Sequence, residues 1–235
     1  MLAAMVGAGE AGAHGGVADL SVYDRTEGKR LAVHWHEGKA YVVGKPGNEY
    51  QVSVRNRQRE DVLAVVSVDG VNVISGETAN PSQTGYVLSV GQSYDILGWR
   101  KSLAETAAFY FTALPDSYAA RTGRPDNVGV IGVALFRRKK TPQPIAQPQP
   151  GAGARSDAAG APAAAESILG TGHGRREASY AQQVTFERAT QAPAETVVLY
   201  YDSYANLVAR GVIRESAPVA PLPQPFPGFV PDPRG

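Results

Sequence analysis

Residues 62–74, VLAVVSVDGVNVI, constrain the fold more than any other stretch of the chain. Val62, Ala64, Val66 and Val68 fall on one face of an extended chain and Leu63 and Val65 on the other, so both faces are apolar until Ser67 and Asp69. A strand of that kind needs cover on both sides. The Asp69-Gly70 pair then marks a tight turn, with Val71 to Ile74 as a short return arm. The residues around this stretch read as strands arranged to cover it.

Val17 to Tyr23, Leu31 to Trp35 and Tyr50 to Val54 alternate apolar and polar positions, as half-exposed strands do. Glu37-Gly38-Lys39 reads as a hairpin turn, with Tyr41 to Val43 as its second arm. Residues 75–84 are too rich in Gly, Asn, Pro and Ser for regular structure, after which strands resume at Tyr86 to Val90, Tyr94 to Trp99 and Thr106 to Thr112. Asp116 to Gly123 fits one helical turn capped by Asp116 or Ser117, and Asn127 to Phe136 fits the longest strand. No segment among these strands is a helix long enough to cross between parallel neighbours. The expected fold is therefore all-β, an antiparallel β-sandwich of jelly-roll or immunoglobulin-like type.

Prolines crowd into residues 142–162 and 218–233, which divides the chain. Residues 1–16 read as a flexible leader, 17–138 as the sandwich and 139–166 as a disordered Pro/Ala/Gln linker. Residues 167–215 read as a small C-terminal ββα unit and 216–235 as a proline-rich tail. In the C-terminal unit, Gln183 to Glu187 and Thr196 to Tyr201 are expected strands, and Asp202 caps a helix that stops at Gly211. Two strands and a short helix cannot hide Val184, Phe186, Val197, Leu199 and Leu207 among themselves. The unit is expected to dock on a sandwich, in its own chain or another, with a sheet edge as acceptor and a protein partner or self-association as the outcome.

The stretches SVDGVNVISGETA, TGYVLSVGQSYDILGWRKS and SYAARTGRPDNVGVIGVALF resemble a family of uncharacterised bacterial proteins with no known activity. The resemblance covers roughly residues 17–136 and implies no functional residue.

Charge excludes some partners: 23 basic against 22 acidic residues leave no electrostatic case for nucleic acid or an anionic membrane surface. Cysteine is absent, which removes disulfides, thiolate ligands and a cysteine nucleophile. The N-terminal residues lack the basic start and sustained apolar run of a signal peptide, and no stretch reaches the roughly 20 apolar residues of a membrane span, so the expectation is a soluble chain of undefined compartment.

His34 and His36 lie two apart on one strand, so their imidazoles share a face and could hold Zn or Fe. Gly28, five residues and His-x-His resemble the start of the cupin metal motif, but Ala40 stands where the ligand Glu belongs and no third His follows. Gly170 to Gly174 (GTGHG) could turn backbone N–H groups and His173 toward an anion, although a glycine-rich loop into the C-terminal unit accounts for it as well. Arg121 and Arg124 offer two guanidiniums to a carboxylate or phosphate. No GxSxG, HExxH, Walker or Rossmann pattern occurs, and no cofactor is signalled beyond that metal. The sequence thus favours a non-enzymatic binding or structural module over a cupin-like metal-dependent enzyme using His34 and His36, with a carbohydrate-binding module as a further alternative.

Overall fold

The computed structural model describes residues 12–140 and 169–214, and the expected linker and tail fall almost wholly outside these, as does most of the leader. Two sheets face each other without closing into a barrel. The first runs β1 (Ala13–His14), β2 (Ala18–Asp24), β6 (Glu49–Asn56), β12 (Glu105–Ala113) and β11 (Gly98–Arg100). Around this path β3 (Lys29–Arg30) pairs with β2, β10 (Ser93–Ile96) with β6, and β14 (Leu169–Ala178) with β12. The second sheet runs β4 (Val33–His36), β5 (Lys39–Val43), β15 (Glu195–Asp202), β13 (Val130–Arg137), β7 (Val62–Val68) and β8 (Val71–Asn72), with β9 (Tyr86–Leu88) also on β7.

The apolar run 62–68 becomes β7, paired with β13 on one side and with β8 and β9 on the other. Val62, Ala64, Val66 and Val68 enter the main core between the sheets. Leu63 and Val65 point outward, where they join Ala134 and Phe136 in a second cluster that Val87 and Phe186 cover. Both faces of the strand are therefore dry, as its composition requires. Asp69 and Gly70 close the β7–β8 hairpin with φ of 54° and 71°, and Glu37 and Gly38 close β4–β5 with 49° and 73°. Both are the left-handed pairs that two-residue hairpins need.

The C-terminal strands are built into both sheets of their own chain. β14 pairs along β12 from Leu169 to Ala178. β15 lies between β13 and β5, antiparallel to the first and parallel to the second, which departs from the wholly antiparallel expectation. A parallel pair needs a long crossover, and here the chain from Val43 to Glu195 provides it. N-terminal residues are held by the same strand: the Glu195 carboxylate accepts from Gly16 N–H at 2.8 Å and Val17 N–H at 2.7 Å. Ala13, inside the stretch read as a leader, pairs with Leu20 and is buried.

Two local readings change. Gln183 to Glu187 forms no strand; Phe186 packs on the outer cluster while Val184 stays exposed. Arg188 lies 4.1 Å from the Phe136 ring centroid and donates to the carbonyls of Pro81, Ser82 and Gln83, which ties this segment to the polar 75–84 loop. The GTGHG stretch, conversely, is not a loop but the first half of β14. Its glycines are required by close approach, not by turning: a Cβ on Gly172 would strike the Tyr110 ring, and one on Gly174 would sit 2.7 Å from the Ala108 carbonyl oxygen. Tyr110 can swing outward, but backbone cannot. Gly174→Ala is expected to cost about 1–3 kcal/mol and Gly172→Ala distinctly less, in chemical denaturation of the two variants. Equal costs would contradict the registered strand.

Candidate functional site

An open cleft of about 730 Å³ lies within the size range of small-molecule sites. Its walls are β3, the start of β4, the turn after β5, and the first residues of α2 (Tyr204–Ala209). Gly44 sets this geometry. A Cβ there would meet Leu169 at 2.5 Å and Phe111 at 2.7 Å, and its N–H donates to the Asp202 carbonyl at 2.9 Å. The end of β5 is thereby locked to the end of β15. Ser203 then caps α2, its Oγ accepting from Asn206 N–H at 3.3 Å; Asp202, the expected cap, instead accepts from Ser203 N–H and the Asn206 amide at 2.8 Å each.

The lining is mostly apolar, from Leu31, Ala32, Val43, Pro46 and Ala205, with the half-exposed Tyr204 ring at the mouth. Its carboxylates are already engaged. Buried Asp24 accepts from the Asn48 amide at 2.7 Å and Glu27 N–H at 2.8 Å. Glu27 sits between Lys29 at 2.6 Å and Lys45 at 3.0 Å, whose donated hydrogen bonds hold its carboxyl down to about 2.

His34 is on the wall of this cleft. It lies directly across from Tyr41, which in turn pairs with Tyr200 on β15; the two tyrosine rings are 5.4 Å apart. His36 shares the face of His34, with Glu37 at 3.9 Å and Lys39 directly across the hairpin. No group of three or more His, Cys, Asp or Glu side chains placed to hold a metal occurs among the described residues.

Arg121 and Arg124, on and just after α1 (Tyr118–Arg121), part company. The Arg124 guanidinium turns to the Gly76 carbonyl at 3.0 Å and the Thr122 hydroxyl at 2.9 Å. The charge of Arg121 instead acts on His173, whose imidazole is pushed below its usual range first by burial, then by Lys101, Arg176 and Arg121.

A carboxyl pushed the opposite way, upward, lies elsewhere. Asp69, 1% exposed, accepts from Gly129 N–H at 2.9 Å, Thr171 N–H at 2.8 Å and the Tyr201 hydroxyl at 2.5 Å. With the Tyr201 proton spent on Asp69, the Thr171 hydroxyl donates to Tyr201 at 2.7 Å and the Tyr50 hydroxyl to Thr171 at 2.5 Å. Burial pushes Asp69 up to about 6 in spite of these donors. A perturbed acid often marks an active site, but this one is sealed between the sheets and joins β6, the β7–β8 turn, β14 and β15. Sequence reasoning saw only a turn residue in Asp69; nothing local signals a partner so far along the chain. No helix among the described residues is long and apolar enough to cross a membrane. No protein-family profile, curated protein or solved structure matches the chain.

Proposed function

We propose that the chain is a non-enzymatic binding module, a sandwich of jelly-roll or immunoglobulin-like type that receives a small amphipathic ligand in the cleft between β3–β5 and α2. The observation carrying this reading is the state of the cleft's acids: Asp24 and Glu27 are both tied up by donors, and His34 makes no ion pair among the described residues. General acid–base work needs a group free to exchange its proton and a partner to orient it. Binding needs only the apolar wall, the Tyr204 ring and the charged rim. A tyrosine face beside polar groups suits a sugar ring, so a carbohydrate is the ligand class to examine first.

A glycan array probed with the intact chain tests this. Expected is a defined set of glycans whose binding falls by about tenfold in Tyr204→Ala, the usual weight of a stacked aromatic. No glycan bound on the array, or binding unaffected by Tyr204→Ala, would remove the cleft from consideration. Metal analysis decides between this reading and the cupin-like enzyme: stoichiometric Zn, Fe or Mn that disappears in His34→Ala/His36→Ala would replace this reading with the metal-dependent one.

A further inference from the structure

We propose that Lys101, Arg121, His173 and Arg176 form a seat for a phosphoryl or sulfuryl oxyanion, where α1 lies against β14. The seat shares no residue with the cleft.

The frame is rigid. Ser117 is fully buried and caps α1 by accepting from Ala120 N–H at 3.1 Å, and the helix rests on the buried Ala119. Tyr118 is thereby fixed in a ladder of rings, 4.7 Å from Trp99 on one side and 5.6 Å from His173 on the other. Lys101 Nζ stands 6.0 Å from the centre of the same Tyr118 ring. Arg121 closes the last turn of α1, and Arg176 follows His173 on β14.

Charge is unevenly settled along β14. Next to His173, Arg175 forms a two-pronged pair with Glu49 at 2.9 Å, and Glu177 takes both terminal nitrogens of Arg25 at 2.7 Å. At the α1 side Arg176 has Glu105 at 3.2 Å, while Lys101 and Arg121 make no ion pair among the described residues. The groups acting on His173 are thus Arg176 from its own strand, Tyr118 and Arg121 from α1, and Lys101 from the loop after β11, while Glu105 on β12 is held by Arg176. Three cations and an imidazole against one carboxylate is a local surplus in a chain whose net charge is only +1. A hydrogen bond to its own backbone holds one side of the His173 ring, which leaves the other ring nitrogen to donate. A tetrahedral oxyanion offsets the mutual repulsion and accepts from several of these donors at once.

The test is a sulfate titration at constant ionic strength, read by NMR on the four imidazoles of the intact chain; sulfate keeps its charge, so any pH dependence belongs to the protein. The oxyanion favours imidazolium, so affinity should rise as pH falls through the His173 titration. A bound anion should lift that titration by about one pH unit, equal to tenfold tighter binding to the charged ring. His14, His34 and His36 should not follow. Lys101→Gln/Arg121→Gln should weaken sulfate by about tenfold or more, and Glu105→Gln, which frees Arg176, should tighten it severalfold. Inorganic phosphate should compete and acetate should not. A non-saturating shift shared by all four imidazoles, unchanged affinity in both variants, or acetate competing as well as phosphate would each overturn the assignment.

Discussion

A chain ending at Arg138 should show no cooperative unfolding transition and should aggregate, while adding residues 169–214 in trans should restore both the transition and solubility. Leu169, Val197, Leu199, Tyr201 and Leu207 are all buried. At about 1.5–3 kcal/mol each, their burial alone is comparable to the whole stability of a domain, about 5–15 kcal/mol. Truncation also bares β5, β13 and β12, each of which loses a hydrogen-bonded neighbour. Leu199→Ala, a smaller lesion at the same place, is expected to cost about 2–5 kcal/mol. A truncated chain with an unaltered melting temperature would show that β14 and β15 are accessories to a domain complete without them.

The second large effect is expected at Asp69. Asp69→Ala leaves the Gly129 and Thr171 N–H groups and the Tyr201 hydroxyl without their acceptor in a sealed site, and should cost about 3–5 kcal/mol. Asp69→Asn keeps the left-handed turn that Asn tolerates, yet turns an amide against donors, and supplies the pH test. Because burial raises the folded carboxyl from 3.8 to about 6, the folded state keeps a proton that the unfolded chain has released between those values. Folding takes up that proton, so the contribution of Asp69 is greatest below about pH 4, falls as pH rises toward 6, and is level above. The wild type should lose up to about 3 kcal/mol relative to Asp69→Asn between pH 4 and 7, the equivalent of that displacement. Urea melts of both proteins across this range give the comparison, and a difference flat with pH would refute it.

These two predictions rest on features of unequal legibility. Alternation made β2, β4, β5, β6, β7 and β13 readable, because one or both faces of each strand must be apolar. β14 escaped because its outward positions, Gly170, Gly172 and Gly174, lack the side chains from which alternation is read; the space they vacate is filled by Ser117, Val128 and the Tyr110 ring. The opposite error arose at Gln183 to Glu187, where Val184 and Phe186 alternate without a partner strand. One of them, Phe186, clips over an outer patch while the other faces water. Local pattern reports what a residue buries, not against what. The candidate sites show the same limit: His34 was visible as half of a His-x-His pair, but its neighbours Tyr204 and Ala205 come from the far end of the chain. Lys101, which nothing in its own surroundings distinguishes, reaches His173 only through folding.

The parallel pairing of Tyr41 with Tyr200 also sets an order of events. During synthesis β5 and β13 are both made before the strand that lies between them, so the second sheet cannot close until residue 202 has left the ribosome. Contacts this distant along the chain make folding slow, and until then two apolar strand edges wait open. Yield in a cell should therefore respond more to the pace of elongation and to chaperones that shield open edges than to the stability of the finished protein.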